Sequence, residues 1–308
     1  RGNQRKSSVI HDKKSPAEAG LAGVLVRPDG ALPKAGIIVI GGAEGGLHER
    51  DAAAFAYHGF AALALAYFGA KGVPPILKEI PLEYFFKAID FMFAQGVEHV
   101  GLVGGSRGGE ASLLVASHDE RVAAVVSVVG SGVLTSGIDY SQGTLDRILG
   151  TPTVSWTLQG EPLPALPYHV PNDLPELVKQ RATVKLRDYF APLPTDAADL
   201  ERISIPVERS KAAILLIAGE HDVSWDSPAY HAVAARRLEA ANHPYAHKNI
   251  VLPNAGHLIA GPPGSPQTSS TGPGPGVTFE FGGDPAATTA ARAEAWRLTV
   301  DFFKQHLN

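Results

Sequence analysis

The chain has 308 residues, no cysteine, and 27 basic against 31 acidic residues, for a net charge of −4. Lack of cysteine excludes disulfides, thiolate metal sites and a cysteine nucleophile. The near-balance of charge leaves no overall electrostatic footprint for nucleic acid. No apolar run approaches the length of a membrane span, and the length suits one large α/β domain or two small ones with a substantial core.

The chain starts at Arg1 rather than at a methionine, consistent with removal of an upstream segment, a cleaved signal peptide among the options. Arg1, Arg5, Lys6, Lys13 and Lys14 make residues 1–19 a basic arm, expected to be solvated or partly disordered. Residues 20–26 read as an edge strand, closed by the turn Pro28-Asp29-Gly30. Apolar runs then alternate with helical stretches. Strands are expected at 37–40, 61–67, 100–103 and 122–129. Helices are expected at 49–58, 83–95 (with Phe86, Ile89 and Phe93 at helical spacing) and 110–117. Runs this apolar suit a parallel sheet covered on both faces.

Over residues 132–204 the alternation stops, and prolines and polar residues surround one expected helix at 174–190. That span exceeds an ordinary connection and is expected to form a cap or lid over the carboxyl edge of the sheet. Alternation resumes with strands at 212–218 and 249–252 and helices at 227–241 and 286–307. Residues 260–283, rich in Gly, Pro, Ser and Thr, are expected to be a mobile surface loop. The organisation expected is one domain, 1–308, with a mostly parallel central sheet flanked by helices and a cap insertion.

The expected strand 100–103 runs into Gly104-Gly105-Ser106-Arg107-Gly108, a G-x-S-x-G sequence, and a helix follows at once. Such a strand-to-helix turn holds its serine in a strained backbone conformation with the hydroxyl clear of the sheet edge. Side chains at 104 and 108 would clash as strand and helix converge, so glycine there has a steric reason. A serine hydroxyl needs a base beside it, and the base needs an acid to orient it. Two later strands supply candidates at their ends: Gly219-Glu220-His221-Asp222, and Pro253-Asn254-Ala255-Gly256-His257. The order Ser106, Asp222, His257 is the order α/β-hydrolases use. The interval between acid and base holds one helix and one strand, which returns the chain to the same edge.

The neighbours have other readings. Asp226 suits the N-cap of the helix that follows. His221 is read as a solvated loop histidine, since no second ligand pair at metal spacing accompanies it. Trp225 fits an acyl pocket or the core. An oxyanion hole needs two backbone N–H groups. One is assigned to Arg107, the residue after the nucleophile. The other is assigned to the loop Gly41-Gly42-Ala43-Glu44-Gly45-Gly46, with Ala43, Glu44 and Gly45 left as alternatives. That loop lacks both the Walker ending and the dinucleotide-fold spacing.

Taken together, these residues resemble the C-terminal catalytic domain of the acyl-CoA thioesterase and bile acid-CoA:amino acid N-acyltransferase family. The resemblance runs over nearly the whole chain from about residue 20. Gly59-Phe60 through Ala64-Leu65-Ala66-Tyr67 carries it, with Leu82-Glu83-Tyr84-Phe85 and Val103-Gly104-Gly105-Ser106-Arg107-Gly108-Gly109-Glu110. Ile205-Pro206-Val207-Glu208-Arg209, Asp222 with Trp225, Gly256-His257, and Gly282-Gly283-Asp284-Pro285 leading to Ala295-Trp296 extend it. It implies an α/β-hydrolase fold, with Ser106 as nucleophile, Asp222 as orienting acid and His257 as base. The amidating branch of the family is marked by a cysteine nucleophile, so Ser106 implies transfer to water. Full-length members carry an N-terminal β-sandwich domain, for which the residues ahead of Ile37 are too few.

The expected activity is hydrolysis of acyl thioesters, acyl-CoA first, through an acyl-enzyme, with no cofactor or metal. An acyl-CoA substrate would favour the cytoplasm. A carboxylesterase acting on oxyesters is the alternative, and a non-catalytic ligand-binding protein on the same scaffold is the third reading.

Overall fold

The apolar runs pair into one eight-stranded sheet in a computed structural model that describes residues 8–308. Its strands are β1 (Val9–Asp12), β2 (Gly23–Pro28), β3 (Ala35–Ile40), β4 (Ala61–Leu65), β5 (His99–Gly105), β6 (Val122–Val128), β7 (Ala213–Gly219) and β8 (His247–Leu252). Their order across the sheet is β1-β2-β4-β3-β5-β6-β7-β8. The β1/β2 and β2/β4 pairs are antiparallel and the rest parallel. Every residue of β3, β4 and β7 is buried, because helices cover both faces; that is why these strands show no polar alternation.

The helices flanking the sheet are α1 (Lys14–Glu18), α2 (Glu49–Tyr57), α3 (Leu82–Gln95), α4 (Arg107–His118), α5 (Ser227–Ala240) and α6 (Pro285–His306). On one face Phe55 of α2 stacks on Trp296 and Phe303 of α6, with centroids 4.6 and 5.9 Å apart. On the other face Phe85 and Ile89 of α3, Leu113 of α4 and Leu238 of α5 join one continuous core. No helix among the described residues is long and apolar enough to cross a membrane.

The strand order places a reaction site. From β3 the chain moves outward to β4, then returns past β3 to β5. The loops after β3 and β5 therefore leave in opposite directions and open a crevice at the carboxyl edge, the switch point where α/β sheets bind ligands.

Three segments differ from expectation. Of the basic arm, Arg1, Arg5 and Lys6 lie outside the described residues, but 9–12 form β1 against β2 and Lys14 begins α1. The single helix expected at 174–190 is only Leu174–Lys179. It stops where Arg181 takes φ +50, and the β-branched pair Thr183–Val184 becomes a strand. The loop expected at 260–283 contains strands Ser270–Pro273 and Thr278–Glu280, and the latter pairs with Thr183–Val184 of the 132–204 segment. Residues 278–280 are thus strand rather than open loop.

Candidate active site

Ser106 sits between β5 and α4 with φ 56° and ψ −121°, a backbone region costly for any residue with a Cβ. Its N–H donates to Val128 O at 2.9 Å, and its carbonyl accepts from Gly109 N–H at 2.9 Å, so both neighbouring elements hold the turn. The surrounding glycines are sterically required. A Cβ on Gly104 would stand 2.2 Å from the Gly108 carbonyl, and one on Gly108 would stand 2.1 Å from Ile40 O.

The three sequence-assigned residues meet. His257 Nε2 is 3.0 Å from Ser106 Oγ, and His257 Nδ1 is 2.8 Å from Asp222 Oδ2. Asp222 is fully buried, so each of its oxygens needs partners. Oδ1 accepts from the Ser224 N–H at 3.0 Å and the Trp225 N–H at 3.4 Å, and Oδ2 also accepts from Ser227 Oγ at 2.6 Å. His257 is held from behind, its N–H donating to Phe281 O at 2.9 Å. The adjoining Gly282 forms a β-bridge with Asp222.

The neighbouring residues sort as follows. Asp226 caps α5 by accepting the Ala229 N–H at 3.2 Å. Trp225 is buried, donates Nε1–H to Val129 O at 2.8 Å and packs on Tyr230, which makes it core. His221 is half-exposed beside Glu220, 3.1 Å away.

In the loop after β3 the peptide planes are pinned through their carbonyls. Gly41 O accepts from Tyr67 OH at 2.6 Å, Gly42 O from the Gly45 N–H at 3.1 Å, and Ala43 O from Tyr140 OH at 2.5 Å. The Gly45 N–H, one of the expected donors, is thus already engaged. The Glu44 N–H turns back to its own carboxylate. Among the described residues, the Ala43 N–H and the Arg107 N–H at the first turn of α4 have no protein acceptor. Gly42 brings the loop against the nucleophile: a Cβ there would lie 3.5 Å from Ser106 Cβ.

Two charged side chains next to the elbow were not legible as such in the sequence. Arg107 is buried, its guanidinium donating to Ser136 O at 2.7 Å, Ser155 Oγ at 3.2 Å and Tyr168 OH at 2.7 Å. Glu110, at the start of the helix expected at 110–117, is fully buried. It accepts from Thr135 Oγ1 at 2.5 Å and Trp156 Nε1 at 2.6 Å. Burial pushes its carboxyl up, and Arg107 opposes that shift. All five partners lie in the 132–204 segment, which α4 thereby holds by two opposite charges.

A cavity of about 350 Å³ opens at Ser106 and His257. Its walls come from the ends of β3, β5 and β6, from α2 and α6, and from residues 257–261. None of the lining residues belongs to 132–204. Besides His257, four ionisable side chains line it: Glu44, His48, Asp51 and Arg292. His48 Nε2 lies 3.1 Å from Glu44 Oε1, which raises the His48 pKa. Burial pushes Glu44 up, but His48 and the backbone N–H groups beside the carboxylate together pull it further down, and the net shift is downward. Burial raises the Asp51 carboxyl.

A family model described as BAAT / Acyl-CoA thioester hydrolase C terminal matches residues 80–308. Among curated relatives, acyl-coenzyme A thioesterase 6 of Homo sapiens is 30% identical over 96% of this chain and 66% of its own length. Acyl-coenzyme A amino acid N-acyltransferase 1 of Mus musculus is 32% identical over 94% of this chain and 64% of its own. The chain thus spans just under two thirds of these relatives. Among solved structures, a Mycobacterium tuberculosis puromycin-hydrolyzing peptidase superposes with TM-score 0.57 at 16% identity, over 100% of this chain and 40% of that one. A putative dienelactone hydrolase from Klebsiella pneumoniae gives TM-score 0.56 at 16% identity, over 97% and 99% of the two chains. At these identities the structural likeness concerns the α/β-hydrolase fold.

Proposed function

The chain belongs to the family described as BAAT / Acyl-CoA thioester hydrolase C terminal, and from that premise we propose that it is a serine hydrolase of acyl thioesters, acyl-CoA first. The observation that carries the reading is the unbroken hydrogen-bonded line from buried Asp222 through His257 to the strained Ser106. In the reaction His257 Nε2 takes the Ser106 proton as Oγ attacks the acyl carbonyl. Asp222 keeps Nδ1 protonated and balances the imidazolium that forms. The oxyanion meets the Arg107 N–H, at the positive end of α4, and the Ala43 N–H. His257 then protonates the leaving sulfur, the acyl-enzyme remains, and a water activated by the same histidine releases the acid. Residues 132–204 act as a cap fastened to α4, and residues 1–308 act as one domain.

The test is turnover of a panel of acyl-CoAs and matched p-nitrophenyl esters, with Ser106→Ala beside the unaltered protein. Loss of the nucleophile in an intact triad should lower kcat on the order of 10⁴-fold or more. Acyl-CoA turnover well above ester turnover, lost in the variant, supports the thioesterase reading. Ester turnover alone moves the substrate to oxyesters, and activity that survives the substitution means Ser106 is not the nucleophile.

A further inference from the structure

The cavity at Ser106 is an unusual place for a plain hydrocarbon chain. Ligand sites for apolar groups are lined mostly by apolar atoms with few polar contacts. Here the lining carries four ionisable groups besides His257, and two of them, Glu44 and His48, face each other at 3.1 Å. Arg292 is different. Its Nε–H donates to Pro262 O at 2.8 Å, and among the described residues neither Nη makes a hydrogen bond. Asp51 lies close to it without forming an ion pair. A Cβ built on Gly261, whose φ is +92°, would stand 3.0 Å from Arg292 Nη2 and 3.3 Å from Asp51 Oδ2, so both groups face the same space beside Gly261. Five N–H donors in a fixed fork with one edge tied down leave a pre-aimed set of donors pointing at that space. Leaving them unanswered beside a desolvated acyl chain would cost free energy.

The rest of the lining is largely apolar, with Val128, Val129, Ile259, Phe55 and Trp296 in it. At about 350 Å³ the cavity is at the small end of ligand sites. The geometry points to a substrate whose acyl group is short and ends in an oxygen acceptor, a hydroxyl or carboxyl, received by the Nη donors of Arg292. The acyl group occupies this cavity while the leaving group departs past His257. This rests on the hydrolase reading above and names the acyl class it would take. Arg292 is then a specificity residue and takes no part in bond making.

The test compares hexanoyl, ω-hydroxyhexanoyl and adipoyl mono-esters with one leaving group held constant, first p-nitrophenol and then CoA. A hydrogen bond to a charged donor is worth about 1.5–3 kcal/mol, roughly tenfold or more in kcat/KM, and that advantage is expected for an oxygenated chain over hexanoyl. An advantage confined to the adipoyl ester identifies an anion as the ligand; one shared with the hydroxyl chain identifies a neutral acceptor. Arg292→Met should bring the ratio of oxygenated to plain substrate to within about twofold, and Arg292→Lys should restore part of it. Labelling of Ser106 by a fluorophosphonate in each variant reports that the site is folded. Labelling with hexanoyl turnover equal to or above the oxygenated esters overturns this proposal alone, as does a preference that survives Arg292→Met. Absence of both labelling and turnover in the unaltered protein overturns the hydrolase reading, and this proposal with it.

Discussion

Ser106 holds φ at +56°, a conformation that costs about 1–3 kcal/mol and persists only where the surroundings over-determine it. Those surroundings are glycines, and each is answerable to a particular atom. Gly108 is the most constrained, because it lies under the loop after β3 as well as against β5. A methyl group there would stand 2.1 Å from Ile40 O and 2.7 Å from Gly41 O, both backbone atoms that cannot swing away. Gly108→Ala should therefore destabilise by at least about 2 kcal/mol, as overpacking does. It should also lower kcat, because relief of the clash displaces the loop that carries Ala43. Thermal unfolding and esterase kinetics read the two effects, and a fall in kcat without a stability change would place the defect elsewhere. At this scale Ser106, Asp222 and His257 were legible because each follows a recognisable strand and their order is informative. Ser227 was not, since its hydrogen bond to Asp222 depends on how α5 starts. Arg292 was not either: a surface-type residue in a helix gives no sign of the cavity across from it.

The elements divide by how their stability arises. The parallel strands β3 to β7 were readable because burial on both faces demands an unbroken apolar run. The 132–204 segment and the 260–283 loop were not. Their strands are two to four residues long, too short to show a period, and they depend on partners distant in sequence. What fastens that segment is the pair Arg107 and Glu110 at the start of α4. Among the described residues the two make no salt bridge to each other; each is buried and hydrogen-bonded to that segment, and leaving the partners of a buried charged group unsatisfied costs about 1–3 kcal/mol or more. Glu110→Gln also sets an amide donor against Trp156 Nε1–H or Thr135, where the carboxylate accepts from both. We expect that loss in urea unfolding, together with faster proteolysis within 132–204. The double replacement Arg107→Met with Glu110→Leu should not recover that stability, since the buried Trp156 Nε1–H and Thr135 hydroxyl would lack their acceptor. Equal stability of Glu110→Gln and the unaltered protein would mean that the Glu110 carboxylate does not fasten the segment.

Across the whole molecule the same burial that builds the site sets a pH limit on the fold. His231 of α5 is fully buried; its Nε2 lies 2.9 Å from Ser127 Oγ, and its Nδ1 has no partner among the described residues. Burial lowers its pKa from 6.5 to about 3. As pH falls below 6.5 the unfolded chain takes up the proton while the folded chain resists it, so stability is lost progressively down to about pH 3. His58 and His118, also lowered by burial, act in the same direction. His48, raised by Glu44, acts in the opposite one: its contribution is present below pH 6.5 and fades as pH rises through its folded value. At about 1.4 kcal/mol per pH unit, His231 alone should remove roughly 2 kcal/mol between pH 7 and pH 5. Urea unfolding at those two pH values should show His231→Gln losing about 2 kcal/mol less than the unaltered protein over the interval. If the two proteins lose the same amount, the acid sensitivity belongs to the carboxylates that folding holds low, Glu208 beside Arg237 among them. The sign then still follows, because those groups too lose their contribution as pH falls, but the midpoint would sit near pH 4 or below. The position of the loss along the pH axis therefore separates a buried imidazole from paired carboxylates without reference to any activity.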